Sequence, residues 1–129
     1  MGGSHGGSTT LGTMVAPDSD QLPQARERLG GFAAGVALYP GCAALTNRVY
    51  RPVAPVLILI GEKDDWTPAE PCRALTEAAQ GAGHPVTIKI YPGAYHAYDS
   101  HNPVRYVATR VNLSAPGGRG ATTGGDPAA

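Results

Sequence analysis

A continuous apolar segment at residues 56–60 limits the folds open to this chain more than any other part of its sequence. The segment, Val-Leu-Ile-Leu-Ile, lies between Pro55 and Gly61, and this pattern is typical of a parallel strand covered on both faces. Apolar residues at helical spacing follow at residues 68–82, and residues 86–91 form a second strand-like run. The sequence therefore predicts a βαβ unit with a right-handed crossover and two parallel strands.

Further elements are predicted before this unit. Residues 32–39 form an apolar run bounded by glycine and proline, which is consistent with a buried strand, although periodicity does not exclude a helix. Residues 8–15 are expected to begin a helix, although their threonines and glycine are poor helix formers. A short helix is expected at residues 24–28. We expect an α/β fold, with a mostly parallel sheet of about three strands and flanking helices.

The C-terminal part of the chain lacks this patterning. A short helix is expected at residues 103–111, and the glycine-rich segment 115–125 has no apolar pattern. We therefore divide the chain into an α/β domain at residues 1–112 and a disordered tail at residues 113–129. The last residues, from Asp126 onwards, resemble the start of a helix.

The composition excludes several classes of partner. The chain has 129 residues with ten basic and ten acidic side chains, so it has no net charge with which to attract nucleic acid or an anionic membrane surface. Its longest apolar run is far shorter than the roughly 20 residues of a bilayer-spanning helix. Because its first residues lack the basic and apolar parts of a secretory signal, we expect a cytoplasmic location, although a longer parent protein could be exported.

Two cysteines, Cys42 and Cys72, lie outside any metal-ligand spacing. Each follows a predicted strand, so both lie at the carboxyl edge of the sheet, where a disulfide is geometrically feasible. Two unconnected buried thiols are the preferred interpretation for a reducing cytoplasm. A third interpretation is that Cys42 and Cys72 form a redox pair. We expect no metal and no organic cofactor.

The pattern G-x-S-x-G occurs at residues 2–6 as Gly-Gly-Ser-His-Gly. This motif forms a sharp turn that exposes a nucleophilic serine between a strand and a helix. Asp64 follows the first strand of the βαβ unit and His96 follows the second. Serine, then aspartate, then histidine is the chain order of one class of serine hydrolase.

Together these residues supply each part of an acyl-transfer site. Ser4 would attack a carbonyl carbon, His96 would take and return the proton, and Asp64 would orient the imidazole. The backbone N–H of His5 would stabilise the oxyanion. Alone, the motif arises often in a glycine-rich chain, and a loop aspartate or histidine is more often a turn residue or a solvated side chain. Their joint occurrence at the carboxyl edge of one sheet favours a catalytic triad.

With these motifs the chain resembles the dienelactone hydrolase family of α/β hydrolases. The likeness is carried by the following residues and segments: 2–7, Gly61, Asp64, Thr67, Pro68 and 91–98. In such proteins the acid lies in a G-x-x-D-x-x-[VT]-P motif, which selects Asp64 over Asp65. The resemblance implies a partial α/β-hydrolase fold and a serine hydrolase. Its substrate would be a small ester, lactone or related acyl compound, cleaved through a covalent acyl-enzyme.

Two departures from the family pattern affect what the resemblance implies. The namesake enzymes have cysteine in the motif, whereas this chain has Ser4 and resembles the broader esterase and peptidase-like members. The strands that precede the motif in the family, and the loop that gives the second oxyanion donor, are absent, so the chain resembles a C-terminal portion. We therefore expect weak or absent catalysis, and self-association through an open sheet edge. The alternative is a non-catalytic truncated fragment, or an interaction module that pairs through that edge.

Overall fold

The computed structural model describes residues 1–15 and 31–125 of the chain. The elements are β1 (Gly2–Gly3), α1 (His5–Met14), β2 (Gly35–Leu38), β3 (Val56–Gly61), α2 (Ala69–Gly81), β4 (Val86–Tyr91), β5 (Arg105–Val111) and β6 (Arg119–Thr123), with short 3-10 helices at Ala43–Leu45 and Pro116–Gly118. None of the helices in these residues is long and apolar enough to cross a lipid bilayer. The helices predicted at residues 24–28 and from Asp126 lie outside the described residues.

Within the described residues, strands β1 to β4 form a parallel sheet in chain order. The pairing of β3 with β4 runs from Val56 opposite Val86 to Gly61 opposite Tyr91. The predicted α/β fold with a parallel sheet is confirmed, and each predicted strand agrees with an observed one to within a few residues at its ends. The structure adds a fourth strand, because the two residues before Ser4 pair with β2.

The core of this sheet lies between β3 and the two helices. Its buried apolar side chains include Leu11 and Met14 of α1, Ile58 and Ile60 of β3, and Leu75 of α2. Each of them is at most 3% exposed. The apolar periodicity of α2 therefore marks the face that packs on the sheet, as its spacing predicted.

The C-terminal part of the chain corrects two predictions. The segment expected to form a short helix is strand β5, and the segment expected to be disordered contains β6, which pairs with β5 in antiparallel register. A turn with Gly117 and Gly118 at φ 81° and 70° joins the two strands, and glycine adopts such angles at no steric cost. The described part of the predicted tail is thus an ordered half of a hairpin. Sequence patterning missed it because nearly all of β5 is exposed and shows no apolar alternation.

A disulfide joins Cys42 to Cys72, with a Cα–Cα distance of 5.0 Å. The preferred prediction of two unconnected thiols is therefore wrong. Cys42 follows β2 and Cys72 lies in the first turn of α2, so the carboxyl edge of the sheet brings both within the Cα separation that a disulfide requires. Both residues are almost fully buried.

Candidate active site

Ser4 lies in the sharp turn between β1 and α1. Its backbone has φ 54° and ψ −118°, a left-handed region that costs a non-glycine residue conformational energy. The turn is held from both sides, because the Ser4 N–H donates to the carbonyl of Leu38 at 2.9 Å and the Ser4 carbonyl accepts from the N–H of Ser8 at 3.0 Å. This strand–serine–helix geometry presents the hydroxyl beyond the end of the strand.

Glycines let α1 pack closely on the sheet at this turn. A Cβ on Gly2 would collide with the carbonyl of Gly6, and a Cβ on Gly7 would lie 2.6 Å from the carbonyl of Leu38. At both positions, a residue with a Cβ would fit only if the backbone moved. Gly2 and Gly7 are therefore required by the close packing of α1 on the sheet, whereas a Cβ on Gly6 would meet nothing within 4 Å.

Ser4, His96 and Asp64 form a continuous chain of hydrogen bonds. The Oγ of Ser4 lies 2.8 Å from Nε2 of His96, and Nδ1 of His96 lies 2.8 Å from Oδ2 of Asp64. When the Nδ1–H donates to the carboxylate, Nε2 is left to accept the serine proton. Asp64 and His96 are 4% and 2% exposed, so the contact between them is shielded from water, whereas the contact with Ser4 is partly buried. The structure thus brings the three predicted side chains together from three separate strand ends.

The carboxylate of Asp64 is fixed by its own loop. Its Oδ1 accepts the backbone N–H groups of Trp66 and Thr67 at 3.0 and 2.8 Å. The hydroxyl of Thr67 lies 3.0 Å from Oδ2 and 3.1 Å from the carbonyl of Tyr39, which ties the loop to the end of β2. The acid therefore has one orientation, with Oδ2 directed at the imidazole.

The loop that carries the acid also joins the turn that carries the histidine. The N–H of Lys63 donates to the carbonyl of Ala94 at 2.9 Å, and Glu62 Oε2 accepts the N–H of Gly93 at 2.8 Å. Gly61 contacts Ala94 so closely that a Cβ would collide with its carbonyl. The acid and the base consequently belong to one connected unit at the sheet edge.

Two aromatic side chains contact the imidazole. The rings of Tyr39 and Trp66 each lie 4.8 Å from the ring of His96, measured between centroids. The Tyr39 hydroxyl donates to Asp99 at 2.9 Å, and burial, followed by the contact with Asp99, raises the pKa of Tyr39 to about 12. Sequence analysis missed both rings. The available signal was position, since Tyr39 ends one predicted strand and Trp66 follows another, at the edge where Ser4, Asp64 and His96 lie.

His5 is the first residue of α1, directly after the serine. The first N–H groups of a helix have no partner within the helix and carry its positive dipole end. The backbone N–H of His5 therefore has no acceptor within α1 and directly follows Ser4 in the chain. No group of three or more potential metal-ligating side chains occurs in the described part of the chain.

Comparison with known proteins gives a family and a fold. The model of the dienelactone hydrolase family matches residues 22–115, a segment that contains Asp64 and His96. None of the curated proteins matches the chain.

Two solved structures show the likeness in three dimensions. An esterase from the planctomycete Thermogutta terrifontis superposes with a TM-score of 0.58 at 21% identity, over 75% of this chain and 44% of the esterase. Puromycin hydrolase gives a TM-score of 0.55 at 23% identity, over 75% of this chain and 18% of that protein. The chain thus spans less than half the length of either structure, and at these identities the likeness shows the fold alone.

Proposed function

The chain belongs to the dienelactone hydrolase family, and we propose that it is a serine hydrolase of esters, lactones or related acyl compounds. Family membership supports hydrolase activity in general. The single observation that carries the finer proposal is the unbroken hydrogen-bond chain from Asp64 through His96 to Ser4, with both links at 2.8 Å. That geometry is what activation of a serine by a general base requires.

The proposed reaction begins with attack of Ser4 Oγ on the substrate carbonyl carbon. His96 Nε2 accepts the hydroxyl proton as the new C–O bond forms, and Asp64 stabilises the resulting imidazolium. The negative charge moves to the carbonyl oxygen, toward the N–H of His5. Collapse of this intermediate breaks the bond to the leaving alcohol, which takes its proton from His96 and leaves an acyl-serine.

Water completes the cycle by the same steps. His96 takes a proton from water, the hydroxide attacks the acyl carbon, and collapse returns the proton to Ser4 as the acid departs. One ester and one water thus give one acid and one alcohol. The rings of Tyr39 and Trp66 support this role, because both pack against the imidazole and restrict its movement.

A fluorophosphonate probe tests this proposal on the purified chain. The wild-type protein should be labelled at Ser4 and should hydrolyse a small activated ester, whereas Ser4→Ala should lose both properties. Ser114→Ala is the matched control, because Ser114 is exposed and lies outside the triad. Equal labelling of wild type and Ser4→Ala would remove Ser4 as the nucleophile.

A second candidate function is pairing with another copy of the chain through the edge of the sheet. Strand β1 has β2 as its partner on one side in the described residues, and Phe32 and Met1 beside this edge are 53% and 91% exposed. An unpaired edge next to apolar side chains favours strand pairing between molecules. Sedimentation over a range of concentrations should show a dimer that Phe32→Lys weakens. A wild-type monomer at every concentration would exclude this function.

The buried disulfide bears on where the protein works. Disulfides persist in oxidising compartments and are rare in the cytosol. The bond between Cys42 and Cys72 therefore favours an oxidising environment over the cytoplasmic location expected from the sequence. Alkylation of denatured protein taken directly from cells should leave both cysteines unmodified until a reductant is added. Immediate alkylation of both would restore the cytoplasmic expectation.

A further inference from the structure

The hairpin of β5 and β6, together with Asn112 and Gly124 at its strand ends, lies outside the parallel sheet, and none of its residues belongs to the triad. Strand β6 also lies beyond the segment that the family model matches, which ends at residue 115. Even so, the hairpin is bonded to both loops that carry catalytic side chains. One set of contacts is with the loop that carries Asp64, and the other is with the turn that carries His96.

Asp65, the neighbour of the proposed acid, makes the most direct connection to the hairpin. Its Oδ1 accepts the N–H of Thr122 and its Oδ2 accepts the Thr122 hydroxyl, both at 2.8 Å. Because Asp65 directly follows Asp64, this two-point contact fixes the chain on one side of the acid. The other side is fixed by the hydrogen bond from the Lys63 N–H to the carbonyl of Ala94.

Asn112 makes a buried second connection at the end of β5. Its side chain is 1% exposed, and its Nδ2 donates to the carbonyl of Asp65 at 2.9 Å and to the carbonyl of Gly120 at 2.7 Å. Its Oδ1 accepts the N–H of Ser114 at 3.0 Å. A buried amide whose donors and acceptor are all used holds its neighbours in one arrangement, since any shift would leave a polar group unpaired.

The hairpin also holds the backbone of the proposed base. The carbonyl of His96 accepts the N–H of Gly124 at 2.9 Å and the hydroxyl of Thr123 at 3.2 Å. The next residue, Ala97, has φ 57°, so the chain turns sharply immediately after the histidine. The contact with β6 therefore supports the histidine at the point where its backbone is most bent.

Trp66 connects the hairpin to the imidazole ring itself. Its Nε1–H donates to the carbonyl of Val111 at 3.0 Å, and the guanidinium of Arg110 lies 5.1 Å from its ring centroid. The same ring contacts the ring of His96 at 4.8 Å. The hairpin thus helps to hold a ring that packs on the proposed base.

We propose that the β5–β6 hairpin is a strap that sets the geometry of the acid and the base, and that Asp65 is the positioning residue that fastens it. This proposal rests on the proposed function. Asp65 touches neither the substrate nor the reacting atoms, and it acts through Thr122 on the loop of Asp64 and the turn of His96.

The variants Asp65→Ala and Asp65→Asn separate positioning from charge. Alanine removes both contacts with Thr122, whereas asparagine keeps an acceptor for the N–H and offers a donor to the hydroxyl. Since a displacement of about 1 Å can cost about 100-fold in rate, we expect Asp65→Ala to lower kcat by about 10- to 100-fold with KM nearly unchanged. Asp65→Asn should keep kcat within about threefold of wild type. The control is Glu70→Ala, because Glu70 is an exposed acid that pairs with Arg73 on α2. This substitution should leave both kcat and KM unchanged.

Ester hydrolysis and thermal unfolding are measured together on the full chain. An unchanged kcat in Asp65→Ala overturns the proposal, and so does an equal loss in Asp65→Asn, because charge would then be the cause. The proposal is also overturned if the lower kcat is fully explained by a smaller fraction of folded protein. If Asp65→Ala does not fold, Thr122→Val removes one of the two contacts and should still lower kcat without raising KM.

A fluorescence measurement tests the strap without turnover. Trp66 is the single tryptophan of the chain, so its emission reports on the contact between hairpin and imidazole. Asp65→Ala should shift this emission to longer wavelength in the folded protein, and Asp65→Asn should not. Identical emission in all folded variants overturns the proposal that the hairpin acts as a strap. If the fluorophosphonate probe does not label Ser4 of the wild-type protein, the proposed function is overturned instead. The fluorescence result would then still report whether Asp65 holds the hairpin against Trp66.

Discussion

Removal of the disulfide should destabilise the fold by several kcal/mol. In the variant that carries both Cys42→Ser and Cys72→Ser, the unfolded chain regains the freedom of a loop of 30 residues. The chain-entropy relation gives about 3.6 kcal/mol at 25 °C for a loop of this length. The unfolding entropy of a 129-residue chain is about 0.27 kcal/mol per kelvin, so Tm should fall by about 13 °C.

Thermal unfolding followed by circular dichroism measures this effect. Wild type and the double variant are each melted with and without a phosphine reductant. The reductant should lower the Tm of wild type toward that of the variant and leave the variant unchanged, which separates the cross-link from the loss of sulfur in the core. The reasoning fails if the double variant melts within about 2 °C of wild type. It also fails if the reductant lowers both melting temperatures equally.

Three further predictions concern the site and its support. Asp64→Asn should lower kcat by about 10⁴-fold, because the imidazole adopts the wrong tautomer; ester hydrolysis at an unchanged Tm measures this, and an unaffected rate contradicts it. Gly7→Ala should destabilise the protein by about 1–3 kcal/mol, since its Cβ would lie 2.6 Å from a carbonyl of β2. Gly12→Ala in the same helix meets nothing within 4 Å and should be neutral or stabilising in denaturant unfolding. Burial and Asp99 raise the pKa of Tyr39 from 10.0 to about 12, so the free energy of unfolding should fall as the pH rises between these values. Tyr39→Phe should make that fall smaller without removing it, because burial also raises the pKa of Tyr50 and Tyr98.

The sheet and the site could be predicted from the sequence for one shared physical reason. Strands of a parallel sheet are buried on both faces, so they appear as apolar runs such as residues 56–60. Their carboxyl ends lie at one edge, so side chains that follow different strands converge there. Asp64 and His96 follow the predicted strands β3 and β4, whereas Ser4 was identified by its motif and follows β1, which was not predicted. The structure places the three side chains in contact.

The hairpin could not be predicted because its stability comes from distant residues. The strand β5 is exposed along nearly its whole length, so no apolar alternation marks it. Asp65 and Trp66, which lie about 50 residues earlier in the chain, provide the contacts that hold it. The disulfide was missed for a different reason, because the expectation of a reducing cytoplasm outweighed a geometry that allowed the bond.

The restraints on the three triad residues are unequal. The loop of Asp64 is held by the end of β2 through Thr67, by the histidine turn and by the hairpin. Ser4 is held by a strand of two residues and by a turn in a strained conformation, and strain persists only while the surrounding structure enforces it. Asp64 and His96 therefore form the rigid part of the proposed site, and Ser4 is the residue whose position depends on the packing of α1. A change that loosens β1 or α1 would move Ser4 out of reach of Nε2 while leaving the bond between His96 and Asp64 intact.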